Sequence, residues 1–441
     1  MRLIIGIDDV DSPHGMCTTY TGALIAEALN RVNGVSFLDY PYLVRLNPNI
    51  PFKTRGNGAV SFSLNIPEYY YDELKELILR IVNESILYGG RKPNPVVVFS
   101  KGINHKLKLF YERALSEVVT PEYARKLAER LGIDYFVLRG NDRGIVGALA
   151  AIGAHPLHEY TFELLVYRNP RQIKDRKVSY EKIKVLDRKF REVLFANIDF
   201  STDRLLVVPH GPDPVLLGIR SVNPIVLNQI AKNMIDELGD AERWIIYKTN
   251  QGTGVHLRKH KNIASLKPYD SCKITGSVLV FPTVLRGGHV KVKIRDESGE
   301  VDCIFYKETI FLNRVARLLM PGDFVEIGGG VRPASSKHGL TVNAETLRIK
   351  KLVLREEIRN PRCPNCNYRM KSAGKNKGFK CPKCGFKSKT ITKEKILKAR
   401  ILEPGLYLSS PSAYRHLSKP KRLLGVKLGD ERYIINIWHF P

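Results

Sequence analysis

The sequence predicts a multidomain protein with α/β parts followed by β parts, and three observations predict it. With 441 residues the chain exceeds one ordinary core, so about two to four domains are expected. Up to residue 267 short apolar runs alternate with helical patterns, and from 268 to 350 strand alternation with glycine turns takes over. Beyond that, four cysteines stand in two close pairs among lysines. These shifts divide the chain into 1–198, 199–267, 268–350, 351–400 and a basic tail at 401–441.

In the first segment Leu3, Ile4 and Ile5 run into GIDDVDSPHGMCTTYTG, which opens onto the helical pattern ALIAEAL. The strand VVVFSKG (96–102) and the helices PEYARKLAERLG (121–132) and NDRGIVGALAAIGA (141–154) complete an α/β layer. A basic stretch, RNPRQIKDRKVSYEKIKVLDRKFRE, leads to LLVVP (205–209), VLLGIRS (215–221), PIVLNQIAKNMIDEL (224–238) and RWIIYKTN (243–250). Strand, strand, helix, strand in that span fits a small ferredoxin-like sandwich. From Lys273 the strands and their RGG and DESGE turns, with a short helix at FLNRVARLL between the third and fourth strands, give the layout of an OB-fold barrel. Such barrels bind single-stranded nucleic acid through a basic groove and stacking aromatics. Phe281, Phe305 and Tyr306 suit stacking and core packing equally.

The net charge is +27 and unevenly spread: from Lys351 to Pro441 there are 22 Lys and Arg against 6 Asp and Glu. A basic end of that density predicts a polyanionic partner, because each neutralised phosphate releases counterions. Anionic membrane is the rival, but the segment lacks an amphipathic helix with bulky apolar anchors. No apolar run approaches the ~18 residues that span a bilayer, and RLIIGI is too short for a signal peptide, so a cytoplasmic protein is expected. Seven cysteines, four of them closely paired, indicate metal binding in a reducing compartment.

Those four, Cys363, Cys366, Cys381 and Cys384, read CPNC, fourteen residues, CPKC. Each Cys-x-x-Cys turn aims two thiolates at one ion, and two turns complete a tetrahedral Zn²⁺ site with no position left for water. The zinc is therefore structural, supplying the folding free energy of a ribbon too small for its own core.

Carboxylates at a strand end repel unless a cation sits between them. Asp8, Asp9 and Asp11 in GIDDVDS either hold Mg²⁺ that bridges nucleotide phosphates, or form a turn with Ser12 and Pro13. A phosphatase of the haloacid-dehalogenase type also uses Asp-x-Asp, here Asp9 and Asp11, but wants a small Gly-Thr turn where Ser12-Pro13 stands. KTRGNGAVSF places Lys53 and Arg55 beside Gly56 and Asn57, either an oxyanion-binding turn or a plain hairpin. Arg143 and Gly144 precede the alanine-rich helix, whose positive end suits phosphate, and Arg220 is a further cation at a strand end. No Walker motif occurs, and His14, His155, His158 and His210 show no ligand spacing.

GIDDVDSPHGMCTTYTG, RLNPNIPFKTRGNGAVSF, RGIVGALAAIGA, the four-cysteine ribbon and PSAYRHLSKP follow in order. Together they resemble the archaeal isoleucine-tRNA 2-agmatinylcytidine synthetases over essentially the whole chain. The resemblance implies a kinase-like first domain, then ferredoxin-like, OB-fold and zinc-ribbon domains. It implies an ATP-dependent ligase that joins agmatine to C2 of the wobble cytidine in the CAU anticodon, through a phosphorylated cytidine. It further implies autophosphorylation at Thr18, beside Thr19, and ATP and metal binding by Asp8, Asp9 and Asp11 with Lys53, Arg55, Gly56 and Asn57 as phosphate neighbours. Val10 stands where the family pattern often has threonine. An acidic residue is expected against the guanidinium of agmatine, and the sequence singles out none.

Two other classes fit parts of the pattern. A non-catalytic RNA-binding adaptor explains the charge and the zinc but leaves the first acidic turn without use. A Mg²⁺-dependent phosphatase or phosphotransferase would use Asp9 and Asp11 alone. The sequence carries no signature of oligomeric state.

Overall fold

The computed structural model describes residues 1–12, 15–53, 56–88, 93–170, 176–209, 211–234, 238, 240–429 and 439–440. Arg55, His14 and His210 lie outside the described residues.

One large sheet organises the first 250 residues. Its strands run in the order Val215–Ser221, Thr161–Tyr167, Arg243–Thr249, Tyr42–Arg45, Gly58–Asn65, Arg2–Asp8, Val96–Ser100, Asp134–Val137. Neighbours are antiparallel except where Arg243–Thr249 meets Tyr42–Arg45, with Lys248 beside Tyr42 in parallel register. That parallel join is the seam between two halves of the sheet.

The division expected at residue 198 does not coincide with a break in this sheet. Thr161–Tyr167 lies between Val215–Ser221 and Arg243–Thr249, and so shares a sheet with strands assigned to the next segment. Its sequence, TFELLVY, is buried at every position. A strand covered on both faces lacks the polar alternation that marks a half-exposed one, and sequence reading passed it over for that reason.

Helices cover both faces of the N-terminal half. Gly6 pairs with Ser61 and Ile7 with Val60 across two strands. Gly6 meets the helix Ile145–Gly153 while Val60 meets Gly22 of the helix Thr18–Asn30, so the two helices lie on opposite faces. A Cβ at Gly6 would overlap the carbonyl oxygen of Ala148. The absence of a side chain there lets the alanine-rich helix sit directly on the strand that carries Asp8, and this fixes the start of that helix beside the strand end.

Residues 271–351 form the expected five-stranded barrel: Ser271–Val278, Val290–Asp296, Gly299–Phe305, Phe324–Arg332 and Thr341–Lys351, closed by pairing of Ser277 with Arg295 and of Asp302 with Thr341. The helix Phe311–Ala316 falls between the third and fourth strands. Phe305 is fully buried, so it packs the core and does not stack. Tyr306 is held edge-on to His289, and Phe281 is 64% exposed. A two-stranded stalk, Arg355–Arg359 with Glu394–Lys398, carries the ribbon.

The basic tail is strapped to the rest of the molecule. Gly405–Leu408 adds to the barrel strand Thr341–Lys351. The chain then recrosses the large sheet's domain, where Gly252 and Gly254 donate to the carbonyls of His416 and Leu417 at 2.8 Å each. His439–Phe440 pairs with Trp244 and Ile245.

Glu345 of the barrel fastens this strap. It contacts His256 Nε2 at 3.0 Å, Arg415 Nε at 3.6 Å and Ser418 Oγ at 3.2 Å. Burial works to raise its pKa, but His256, Arg415 and Ser418 outweigh it and hold the carboxyl at about 2, against an ordinary 4.5. A carboxylate held below its unfolded value stabilises fully above that value, and the contribution disappears as pH falls towards the folded one. Amide exchange at residues 409–418, corrected for intrinsic rates, is therefore expected to accelerate between pH 4.5 and 2. Glu345→Gln should show the fast regime already at neutral pH, and a pH-independent strap in the native chain would refute the assignment.

Candidate active site and zinc-ligand cluster

The first strand ends at Asp8, and Asp9 turns the chain sharply with φ of 60°. Aspartate tolerates that left-handed conformation better than most residues. The turn sends the Asp9 carboxylate to Arg143, whose Nη2 and Nε both donate to Oδ2, at 2.9 and 3.1 Å. Asn94 Nδ2 approaches the same oxygen at 3.4 Å, and Asn94 N donates to the Asp9 carbonyl at 3.1 Å. Asp11 Oδ1 accepts from Thr18 N at 3.0 Å, satisfying an orphan donor at the start of the helix Thr18–Asn30. Asp8 lies against the first turn of the helix Ile145–Gly153, where a Cβ on Gly147 would overlap its carboxylate.

This corner is short of positive charge. Burial, then the charges of Asp9 and Asp11, push the Asp8 carboxyl well above the ordinary range, and Arg143 offsets only part of that. Burial raises Asp9 as well, against Arg143 and Asn94. Hard carboxylate oxygens crowded in this way suit a divalent cation.

A cavity of about 250 Å³ opens on the corner. Asp8, Asp9, Asp11, Lys53, Asn57, Arg143 and Gly144 line it, together with the apolar Ile50, Phe52, Val118 and Val119. Phe52 and Val118 are 65% and 41% exposed, apolar surface without cover in the isolated chain. Burial and the neighbouring Arg415 lower the Lys53 amine from its ordinary range.

The expected site residues that border a cavity thus divide between two of them. Gly56 and Arg220 line a second cavity of about 530 Å³, which Lys53 also borders. Arg220 pairs there with Glu163 at 3.4 Å, not with the acidic turn. Thr18 borders neither cavity: it is 1% exposed, and its Oγ1 accepts from Val10 N at 3.3 Å. Asn94, Arg45, Glu163 and Gln251 were not singled out in the sequence. Each is a lone polar residue next to or within a strand, so only its partners in space mark it. His155 is a core residue, stacked on Tyr42 at 3.9 Å and bonded to Ser61 Oγ at 2.9 Å, with burial pushing its pKa down to about 3. His158 contacts Lys108 Nζ at 3.3 Å.

In the ribbon the four sulfurs of Cys363, Cys366, Cys381 and Cys384 lie within 4.8 Å of one another. Cys363 to Cys384 and Cys366 to Cys381 are each 3.4 Å, near the ~3.8 Å edge of a tetrahedron with ~2.3 Å Zn–S bonds. Both knuckles share one backbone plan. Asn367 N donates to the Cys363 carbonyl and Gly385 N to that of Cys381, and both donors have positive φ, 55° and 76°. The donor set and its geometry fit structural zinc.

An acidic strand-end corner, a ferredoxin-like half, an OB barrel and a four-thiolate ribbon together define a multidomain protein of the nucleic-acid-binding OB-fold and zinc-ribbon class, with a carboxylate-lined cavity at its first strand end. Family profiles match in the same order: the TiaS TCKD domain at residues 4–140, the TiaS FLD domain at 142–256, an OB-fold nucleic acid binding domain at 272–350 and the TiaS C-terminal zinc ribbon domain at 360–402. The chain belongs to the TiaS family. It is 45% identical to the tRNA 2-agmatinylcytidine synthetase TiaS of Thermofilum pendens, over 98% of this chain and 97% of that one. The Pyrococcus horikoshii protein of the same name is 41% identical over 95% and 97%. Among solved structures, apo TiaS superposes with a TM-score of 0.80 at 34% identity, covering 99% of this chain and 100% of that one. The complex of TiaS with its isoleucine tRNA, AMPCPP and agmatine matches with a TM-score of 0.78 at 32% identity, covering 98% and 99%.

Proposed function

We propose that the chain is an ATP-dependent carbon–nitrogen ligase that attaches agmatine to C2 of the wobble cytidine in the CAU-anticodon isoleucine tRNA. Full-length similarity to the agmatinylcytidine synthetases supports the reaction. The observation that carries the site is the convergence of Asp8, Asp9 and Asp11 with Lys53, Asn57, Arg143 and Gly144 on one cavity.

In this reading the cavity holds ATP. Ile50, Phe52 and Val118 cover the adenine, while Lys53 and Arg143 hold phosphate oxygens as charge develops. Mg²⁺ held by Asp8, Asp9 and Asp11 would neutralise triphosphate charge. The cytidine C2 oxygen takes one phosphoryl group from ATP, which makes C2 electrophilic and the oxygen a good leaving group. The agmatine amine then forms the C2–N bond as the C2–O bond breaks and phosphate departs with that oxygen. A second phosphoryl group passes to Thr18 and from there to water, so that overall ATP gives AMP and two phosphates. Positioning of three reactants supplies most of the catalysis.

We assign Thr18 as the autophosphorylated residue, and its burial means that its surroundings rearrange before the hydroxyl receives phosphorus. Among the described residues no helix is long and apolar enough to cross a membrane, and a tRNA substrate is met in the cytoplasm.

The test is mass analysis of nucleosides after incubation with ATP, agmatine and unmodified transcript. A cytidine carrying agmatine less one water is expected. Thr18→Ala should slow its formation at least about tenfold, as loss of a covalent phosphoryl acceptor does. Normal tRNA binding without any modified nucleoside would leave only the RNA-binding adaptor.

A further inference from the structure

The second cavity, about 530 Å³, lies where three parts of the chain meet. Arg45, Lys53 and Gly56 come from the first domain, Arg220 and Gln251 from the ferredoxin-like half, and Ser412 to Pro420 from the strap. Its volume is in the range of sites that enclose a small molecule or one nucleotide.

Behind the wall sits Glu163, only 3% exposed at its side chain. It pairs with Arg45 Nη2 at 3.5 Å and with Arg220 Nε at 3.4 Å. Gln251 donates to this carboxylate in either orientation of its amide, at 3.3 or 3.1 Å. Arg220 is further fixed by the carbonyls of Ala196 at 2.6 Å and Leu206 at 3.4 Å. Both arginine side chains are largely buried, at 12% and 16% exposure.

One carboxylate against two guanidinium groups leaves a positive charge in a desolvated place, which is costly without an anion. Lys53 adds to it, Arg415 being paired with Glu345 of the barrel, and none of the described residues lining the cavity is acidic. His416 is held neutral, its pKa pushed well below the ordinary value by Arg45 first and by burial second. Nη1 of Arg45 faces Gly56, where a side chain would crowd it. Such a site takes a phosphate, which guanidinium forks match.

We propose that Glu163 is a positioning residue, holding Arg45 and Arg220 so that this cavity grips a phosphate of the acceptor RNA nucleotide. This rests on the ATP assignment above. The acidic residues that suit metal-bound triphosphate all line the other cavity, so the phosphate here belongs to RNA. Lys53 borders both cavities. Phosphoryl donor and acceptor therefore sit on two sides of one lysine.

The test measures KM for tRNA and for ATP separately, with tRNA Kd by direct binding, in Glu163→Gln, Arg220→Lys and the double variant. Loss of fork geometry is expected to raise tRNA KM and Kd roughly tenfold in each single variant, with ATP KM changed less than about twofold. Because Glu163 acts through Arg220, the double variant should be no worse than the weaker-binding single by more than about twofold. Unchanged tRNA KM, a rise in ATP KM instead, or multiplying effects would each overturn the proposal. If Glu163→Gln fails to fold, Arg220→Lys alone decides, since it keeps the charge and loses the fork. A native enzyme that binds tRNA but makes no agmatinylated nucleoside would sink the functional reading, while the Kd comparison would still judge this one.

Discussion

Asp9→Ala is expected to cut formation of the agmatine-modified nucleoside by at least about a hundredfold, the scale seen when a preorganised electrostatic group is removed. Asp9 is a carboxylate on the cavity wall and also the acceptor that orients the Arg143 fork through one oxygen. Its loss removes a metal-binding oxygen and lets Arg143, 38% exposed at its side chain, swing into solvent. That exposure also limits the damage to stability, because water can solvate the freed guanidinium. The melting temperature should stay within a few degrees, and tRNA affinity should be unchanged. Asp9→Asn separates the two roles: it retains an oxygen that accepts from Arg143 but lacks the charge, so it should lose nearly as much activity. Full activity in Asp9→Ala would mean that the acidic corner is only a turn, as Ser12 and Asp11 alone allow.

What the sequence disclosed and what it hid differ by physical kind. The ribbon was legible because metal chemistry imposes local spacing, and both halves of each knuckle lie within a few residues. The barrel was legible because half-exposed strands alternate, and Val290–Asp296 shows that alternation cleanly. Thr161–Tyr167 was not, because burial on both faces erases the pattern. The tail shows in sequence only as a basic segment, since a strap makes its contacts one residue at a time. Gly252 N to His416 O and Arg422 Nη2 to Asp187 Oδ2, 3.0 Å, join residues far apart in sequence. Of the site, the acidic turn and Arg143 were visible as local motifs, whereas Asn94 and Glu163 acquire meaning only from partners that folding brings to them. Arg220 is visible as a cation at a strand end, but its neighbours, and hence its cavity, are set only by folding.

Cys363→Ser should break the ribbon and leave the ATP cavity intact. The ribbon core consists of Cys363, Met370, Phe379 and Cys381 with a few partly buried neighbours, and its strands are two residues long. So little apolar burial does not offset the conformational entropy of ordering the segment, whereas thiolate–zinc binding supplies about 10–16 kcal/mol in comparable fingers. Removing one thiolate, or stripping zinc with a chelator, should therefore unfold residues 360–392 as a unit. The stalk Arg355–Arg359 with Glu394–Lys398 separates the ribbon from the barrel, and the strap is held by Gly252, Gly254 and Glu345, which lie outside the ribbon. Melting of the remaining domains should stay unchanged, as should ATP binding. Affinity for tRNA should fall about tenfold or more, with a shallower salt dependence, because an unfolded lysine-rich segment no longer presents its charges as one surface. A ribbon-broken protein that binds tRNA with native affinity and native salt slope would show that the ribbon grips nothing, and its basic residues would then need another explanation.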